Sequence, residues 1–204
     1  MARVAVFIDG FNVYHALDGN PAWGKFKWLD YAALARCYIG GRDTLVGVYL
    51  FTSLATWNNE KVKRHMTYLR ALRTRGVEVI MGKFKRKDRI CRATCKQAFQ
   101  TFEEKLTDVN IAVRLFKGAY LDEYDRAILI TGDTDIVPAV RAVRELFVGK
   151  QIGVVVPIGR RSEELKRECD FHFRIREEHL RRCQLPDVVD GGPFGELRRP
   201  DSWK

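Results

Sequence analysis

The chain has 204 residues, 46% hydrophobic and 30% charged, the balance of one globular domain large enough to bury a full core. No apolar run approaches the ~18 residues a membrane helix needs, and the apolar stretch before Asp9 is too short for a secretory signal, so a cytoplasmic protein is expected. The net charge of +10 is concentrated, because residues 61–96 hold thirteen Lys and Arg against Glu78 and Asp88, a local +11 that leaves −1 for the rest. A polyanionic partner is the reading this favours over an ordinary solvated face.

In chain order, residues 3–8 read as a strand buried on both faces, since their apolar side chains run together instead of alternating. Gly10-Phe11-Asn12 turns the chain into a helix to residue 17, broken by Gly19-Asn20-Pro21. Asp30 caps a helix at 31–38, and residues 45–51 form a second strand. Asn58 or Asn59 caps a helix that stops at Gly76 and carries an apolar stripe of Val62, Met66, Leu69 and Leu72. A third strand at 77–84 is expected to run into a basic loop, KRKDRICRATCK. Thr107 is the N-cap candidate of a helix at 108–117, whose nearly all-round apolar character predicts a central, covered element.

A fourth strand at 125–131 precedes a helix with the stripe Ile136, Val140, Val143 and Phe147. A fifth strand at 151–156, a short helix capped by Ser162, an edge strand at 171–175 and a last helix to Cys183 complete the pattern. The alternation predicts one α/β domain over residues 1–183, a three-layer α/β/α sandwich with a mainly parallel central sheet. Residues 184–204 are expected to be an irregular tail. The five cysteines form no framework and read as reduced thiols. Cys91 and Cys95, the one close pair, would be half a zinc site with no second half in sight.

Right-handed crossovers place every parallel strand's carboxyl end on one sheet edge, where ligands bind. Two apolar runs end there in aspartate beside glycine: VAVFI at Asp9, and AILIT at Asp133 with Asp135 two residues on. Asp108 joins them if its helix starts at that edge. Singly, each acid reads better as a turn or cap residue. Together they read as a hard-cation site, because crowded carboxylates repel one another until a divalent ion neutralises them. Oxygen ligands suit Mg²⁺ or Mn²⁺, and such an ion lowers the pKa of bound water and stabilises charge on phosphate oxygens. Asn12 is placed to hold a carboxylate or a phosphate. Haloacid-dehalogenase chemistry would need an acid two residues after Asp9, where Phe11 stands. No G-x-G-x-x-G or phosphate-loop lysine motif is present.

Three motifs, IDGFN at 8–12, EEKLTDVNIA at 103–112 and TGDTDIVP at 131–138, resemble those of the NYN branch of the PIN-like ribonucleases, in the same order. The resemblance implies the PIN-like fold, RNA as partner, a metal-dependent (endo)ribonuclease activity, and metal-site acids at Asp9, Asp108, Asp133 and Asp135 with Asn12 beside them. Thr131 and Thr134 stand where the family often has serine. The expected function is RNA phosphodiester hydrolysis by metal-activated water, with Lys61, Lys63, Arg64, Lys83, Lys85, Arg86, Lys87, Arg89, Arg92 and Lys96 gripping the strand. The alternative is a non-catalytic RNA-binding or regulatory module on the same fold. Homodimerisation is left open.

Overall fold

The computed structural model of the chain describes residues 1–91 and 96–204. Arg92 and Cys95, named above as RNA and metal candidates, lie outside them. The strands are β1 (Arg3–Asp9), β2 (Thr44–Thr52), β3 (Val77–Met81), β4 (Lys83–Ile90), β5 (Ala98–Lys105), β6 (Arg126–Ile130), β7 (Gln151–Val156), β8 (Phe171–Arg174), β9 (Val188–Asp190) and β10 (Glu196–Arg198). The helices are α1 (Gly10–Asp18), α2 (Tyr31–Arg36), α3 (Asn59–Thr74), α4 (Thr107–Tyr120), α5 (Val137–Leu146), α6 (Glu163–Glu168) and α7 (Glu177–Arg182).

Among the described residues, one six-stranded sheet has the order β3-β2-β1-β6-β7-β8, and every pair in it is parallel. Two packed layers explain the unbroken apolar run of β1. Val4, Val6 and Ile8 face a core with Trp28, Leu34 and Leu69, whereas Ala5 and Phe7 face Ile111, Leu115 and Val140 on the other side. Each fully buried aliphatic or aromatic side chain contributes about 1.5–3 kcal/mol, so this strand is fixed in register from both faces. Two of the caps form as read: Asp30 accepts from the Ala33 N–H and Asn58 from the Lys61 N–H.

Five expectations are corrected. The basic loop is not a loop, since β4 and β5 pair antiparallel from Lys83↔Lys105 to Ile90↔Ala98 as a separate two-stranded ribbon. Thr107 is the first residue of α4 and not its cap; Leu106, with φ 78°, holds the cap position. That helix is also not covered all round, because Val109 and Val113 are 58% and 60% exposed while Ile111 and Leu115 are buried. Ser162 makes no capping bond, and its hydroxyl is buried without a partner. In residues 184–204, expected as irregular, β9 and β10 pair as a hairpin. Trp203 there packs against Trp28 and Tyr68, and the Trp28 indole N–H donates to the Pro186 carbonyl at 2.8 Å. Trp203 and Leu197 belong to the core.

Candidate active-site cleft

From β1 the chain builds outward through β2 and β3, then returns to the other side of β1 for β6, β7 and β8. Neighbouring crossovers therefore diverge between β1 and β6, and a crevice opens at the carboxyl ends of those two strands. Ile8 pairs with Ile130 at the last rung, which leaves Asp9 and the Thr131–Asp135 loop facing each other. Gly10 makes the turn possible: a Cβ there would lie 2.8 Å from the Phe51 carbonyl oxygen. At Gly82, where the ribbon leaves the sheet, a Cβ would lie 2.9 Å from the Lys105 carbonyl oxygen.

Asp9 is buried and fully bonded. One oxygen accepts from the Asn12 N–H at 3.0 Å, capping α1, and the other accepts from the Thr131 hydroxyl at 3.0 Å. Thr131 Oγ1 in turn accepts from the Asp133 N–H at 3.1 Å, and Asp133 accepts from the Asp135 N–H at 3.1 Å. Asn12 lines the cleft, and its side-chain oxygen accepts from the Gly132 N–H at 3.0 Å and clips the two strand ends together. Asp108 enters from the first turn of α4.

Burial pushes the Asp9 carboxyl up to about 6; the Asn12 N–H and Thr131 hydroxyl oppose this, and Asp108 and Asp133 push further upward. The Asp108 carboxyl is also raised, first by burial, then by Asp133, Glu104 and Asp135. Asp9, Asp108 and Asp133 line one cleft of about 900 Å³, whereas exposed Asp135 lies outside that lining. Among the described residues, no three His, Cys, Asp or Glu side chains gather tightly enough to hold a metal ion by themselves. The four acids thus do not close into a cage. Their all-oxygen chemistry and mutual repulsion still fit a hard divalent cation, which commonly takes one or two carboxylates and completes its shell with water and phosphate.

The cleft walls hold groups that strand-end reasoning passed over. Glu104 accepts from the Ser53 and Thr107 hydroxyls inside the cleft wall. Arg160 and Arg161, just beyond β7, line it opposite Lys61 and Arg64 of α3. Applying the strand-end rule to the fifth strand as well would have found the two arginines. Trp57, Phe84 and Phe102 form an aromatic wall; Trp57 stacks on Phe102 at 3.7 Å and meets Phe84 edge-on, while Phe84 meets Phe11 edge-on at 5.3 Å. His65 is neutral near pH 7, since burial pushes it down to about 4.

Of the expected RNA contacts among the described residues, only Lys61 and Arg64 line this cleft. Lys63 pairs with Glu60 on the outside of α3. Lys83, Lys85, Arg86, Lys87, Arg89 and Lys96 stand on or beside the ribbon, outside the lining.

A parallel sheet with acids at its switch point and basic, aromatic walls defines an α/β protein with a cleft at its strand ends. The chain belongs to the NYN domain family, which it matches over residues 3–177. It is 27% identical over 246 aligned residues to 6-hydroxy-3-succinoylpyridine 3-monooxygenase HspA from Pseudomonas putida, spanning 98% of this chain and 75% of that protein. A crystal structure of a protein of unknown function from Vibrio parahaemolyticus shares the fold, with a TM-score of 0.60 and 20% identity over 87% of this chain and 94% of that one. No helix among the described residues is long and apolar enough to cross a membrane.

Proposed function

We propose that the protein is a Mg²⁺- or Mn²⁺-dependent ribonuclease acting in the cleft between β1 and β6. One observation carries this reading: three carboxylates from three distant segments face one cleft, where burial and then the neighbouring acids push the Asp9 and Asp108 carboxyls upward. Mutual destabilisation of this kind is relieved by a cation or a proton, and it is the pattern of a functional site.

Asp9 and Asp133, with Asp108 across the cleft, are the groups that would hold the ion. When bound, it supplies Lewis-acid stabilisation of phosphate charge and activation of water. The chain's own residues do the rest. Asn12 and Thr131 fix the carboxylate geometry through the Gly132 and Asp133 backbone. Lys61, Arg64, Arg160 and Arg161 bind backbone phosphates on either side of the acids. The Trp57–Phe102 wall offers an unpaired base a stacking surface and keeps bulk water from the phosphate. The test is incubation of pure protein with labelled RNA and Mn²⁺ beside Asp9→Asn and Asp133→Asn. Metal-dependent cleavage that both substitutions remove supports the reading; equal cleavage by all three proteins ends it.

A second reading rests on the Pseudomonas relative, named for a hydroxypyridine that bears a succinoyl side chain. The same cleft, with Phe11, Trp57, Phe84 and paired arginines, suits a small aromatic carboxylate. Oxygen consumption dependent on that pyridine, with no RNA cleavage, would favour it.

A further inference from the structure

In an antiparallel ladder, directly paired residues share a face and successive residues alternate between faces. The pairing of β4 with β5 therefore sorts the ribbon's charge. One face carries Phe84, Arg86, Asp88 and Ile90 opposite Glu104, Phe102, Gln100 and Ala98. Its root, Phe84, Phe102 and Glu104, turns to the cleft. The other face carries Lys83, Lys85, Lys87 and Arg89 opposite Lys105, Glu103, Thr101 and Phe99. Glu103 is the sole acid in that row, and at the root it also reaches the cleft lining. Lys87 and Lys105 both pair with it, and Lys105 ahead of Lys87 holds its carboxyl down to about 2.

Lys83, Lys85 and Arg89 are exposed, and among the described residues none has a carboxylate within ion-pair distance. The row from Lys83 to Arg89 covers about 20 Å at ~3.4 Å per residue. Lys83, Lys85, Lys87 and Arg89 lie outside the cleft lining, which this face reaches at its root through Glu103. Like charges held in a row, three of the four without a counter-ion among the described residues, suit an external polyanion.

We propose that this outer face is a second nucleic-acid surface, separate from the cleft, that binds the phosphate backbone of the RNA strand leaving it. The inference rests on RNA being the substrate and adds that the substrate must extend well past the cleavage site. The cleft alone selects what is cut, and the ribbon selects for length.

The experiment compares wild type with the triple variant Lys83→Gln, Lys85→Gln, Arg89→Gln, in EDTA so that nothing is cleaved. Binding of a 4-nucleotide and a 20-nucleotide single-stranded RNA is followed by fluorescence anisotropy across a salt series. Far-ultraviolet circular dichroism and size-exclusion chromatography verify that the variant is folded and monodisperse. Each lost phosphate contact lowers the slope of log K against log salt by ~0.7 for a single strand. Three should lower it by about 2 for the long RNA, a loss on the order of a hundredfold at 0.1 M salt if the term vanishes near 1 M. The short RNA should change by less than about threefold, the share left to screened long-range attraction.

An unchanged slope on the long RNA, an equal loss on both lengths, or no RNA binding by wild type overturns the proposal. If the length-dependent loss appears and wild type cuts no RNA with Mn²⁺, the ribbon assignment stands and the nuclease reading falls. If wild type cuts RNA but the slopes match, the reverse holds.

Discussion

The floor of the cleft and the ribbon beside it carry opposite charge and are held by opposite means. Asp9 sits at the end of a strand packed on both faces, with each carboxylate oxygen bonded to a neighbouring segment. The ribbon pairs with itself and is tied to the domain chiefly at its root, through Trp57, Phe84, Phe102 and the Glu104 bonds. A two-stranded hairpin alone is marginal in water, so that root sets where the arm points. The contrast fits the two jobs proposed for them. Chemistry demands fixed geometry, which the sheet provides, whereas affinity for a long anion tolerates the compliance of an arm outside it.

Four measurements test that division, beginning with the largest effect. Asp133→Asn is expected to lower kcat/KM for RNA at least about a hundredfold, the scale for losing a metal-holding group. The ribbon variant should act chiefly through KM on long substrates. A comparable fall in kcat from the ribbon would erase the distinction.

Second in size is the stability held at Asp9. Its folded pKa, about 6, exceeds the ordinary 3.8, so its contribution is full below about pH 4 and is lost as pH rises through about 6. At 1.36 kcal/mol per pKa unit that amounts to about 3 kcal/mol. In EDTA at pH 7.5, Asp9→Asn should therefore melt above wild type, and Mn²⁺ should raise the Tm of wild type alone. Denaturation curves with and without the ion decide it, and a destabilised Asp9→Asn would contradict the account.

Gly10→Ala comes third. The new methyl meets the Phe51 carbonyl, which belongs to the sheet and cannot swing aside, so about 1–3 kcal/mol should be lost. Urea denaturation with an unchanged midpoint would show the floor to be softer than described. The smallest effect is Phe102→Ala, worth about 0.5–1.5 kcal/mol for the aromatic stack. It should speed hydrogen exchange of the ribbon amides and leave those of β1 and β6 unchanged.

The site's floor was legible because burial on two faces leaves an unmistakable trace: VAVFI and AILIT run apolar and stop abruptly at acids. Asp30 and Asn58 were legible as caps for an equally local reason. The ribbon was not, since neither of its faces is buried and its strand positions hold lysine and arginine instead of apolar residues. Hydrophobic periodicity reports burial, and there was none to report. The exposed side of α4 misled for the converse reason: Val109 and Val113 are apolar but uncovered, which no count of apolar residues distinguishes from a central helix. Asn12 was placed correctly at the turn, but its side chain serves the backbone of Gly132, a partner 120 positions away that spacing cannot reveal.

Because β4 and β5 pair, among the described residues, only with each other, each keeps one margin of backbone N–H and C=O groups outside any ladder. An open margin is a template on which another copy can add a strand, and lysine is among the residues that discourage it through repulsion. Salt strong enough to free a bound polyanion also screens that repulsion. If the ribbon binds a polyanion as proposed, loss of grip and the onset of self-association are expected to arrive together as salt rises.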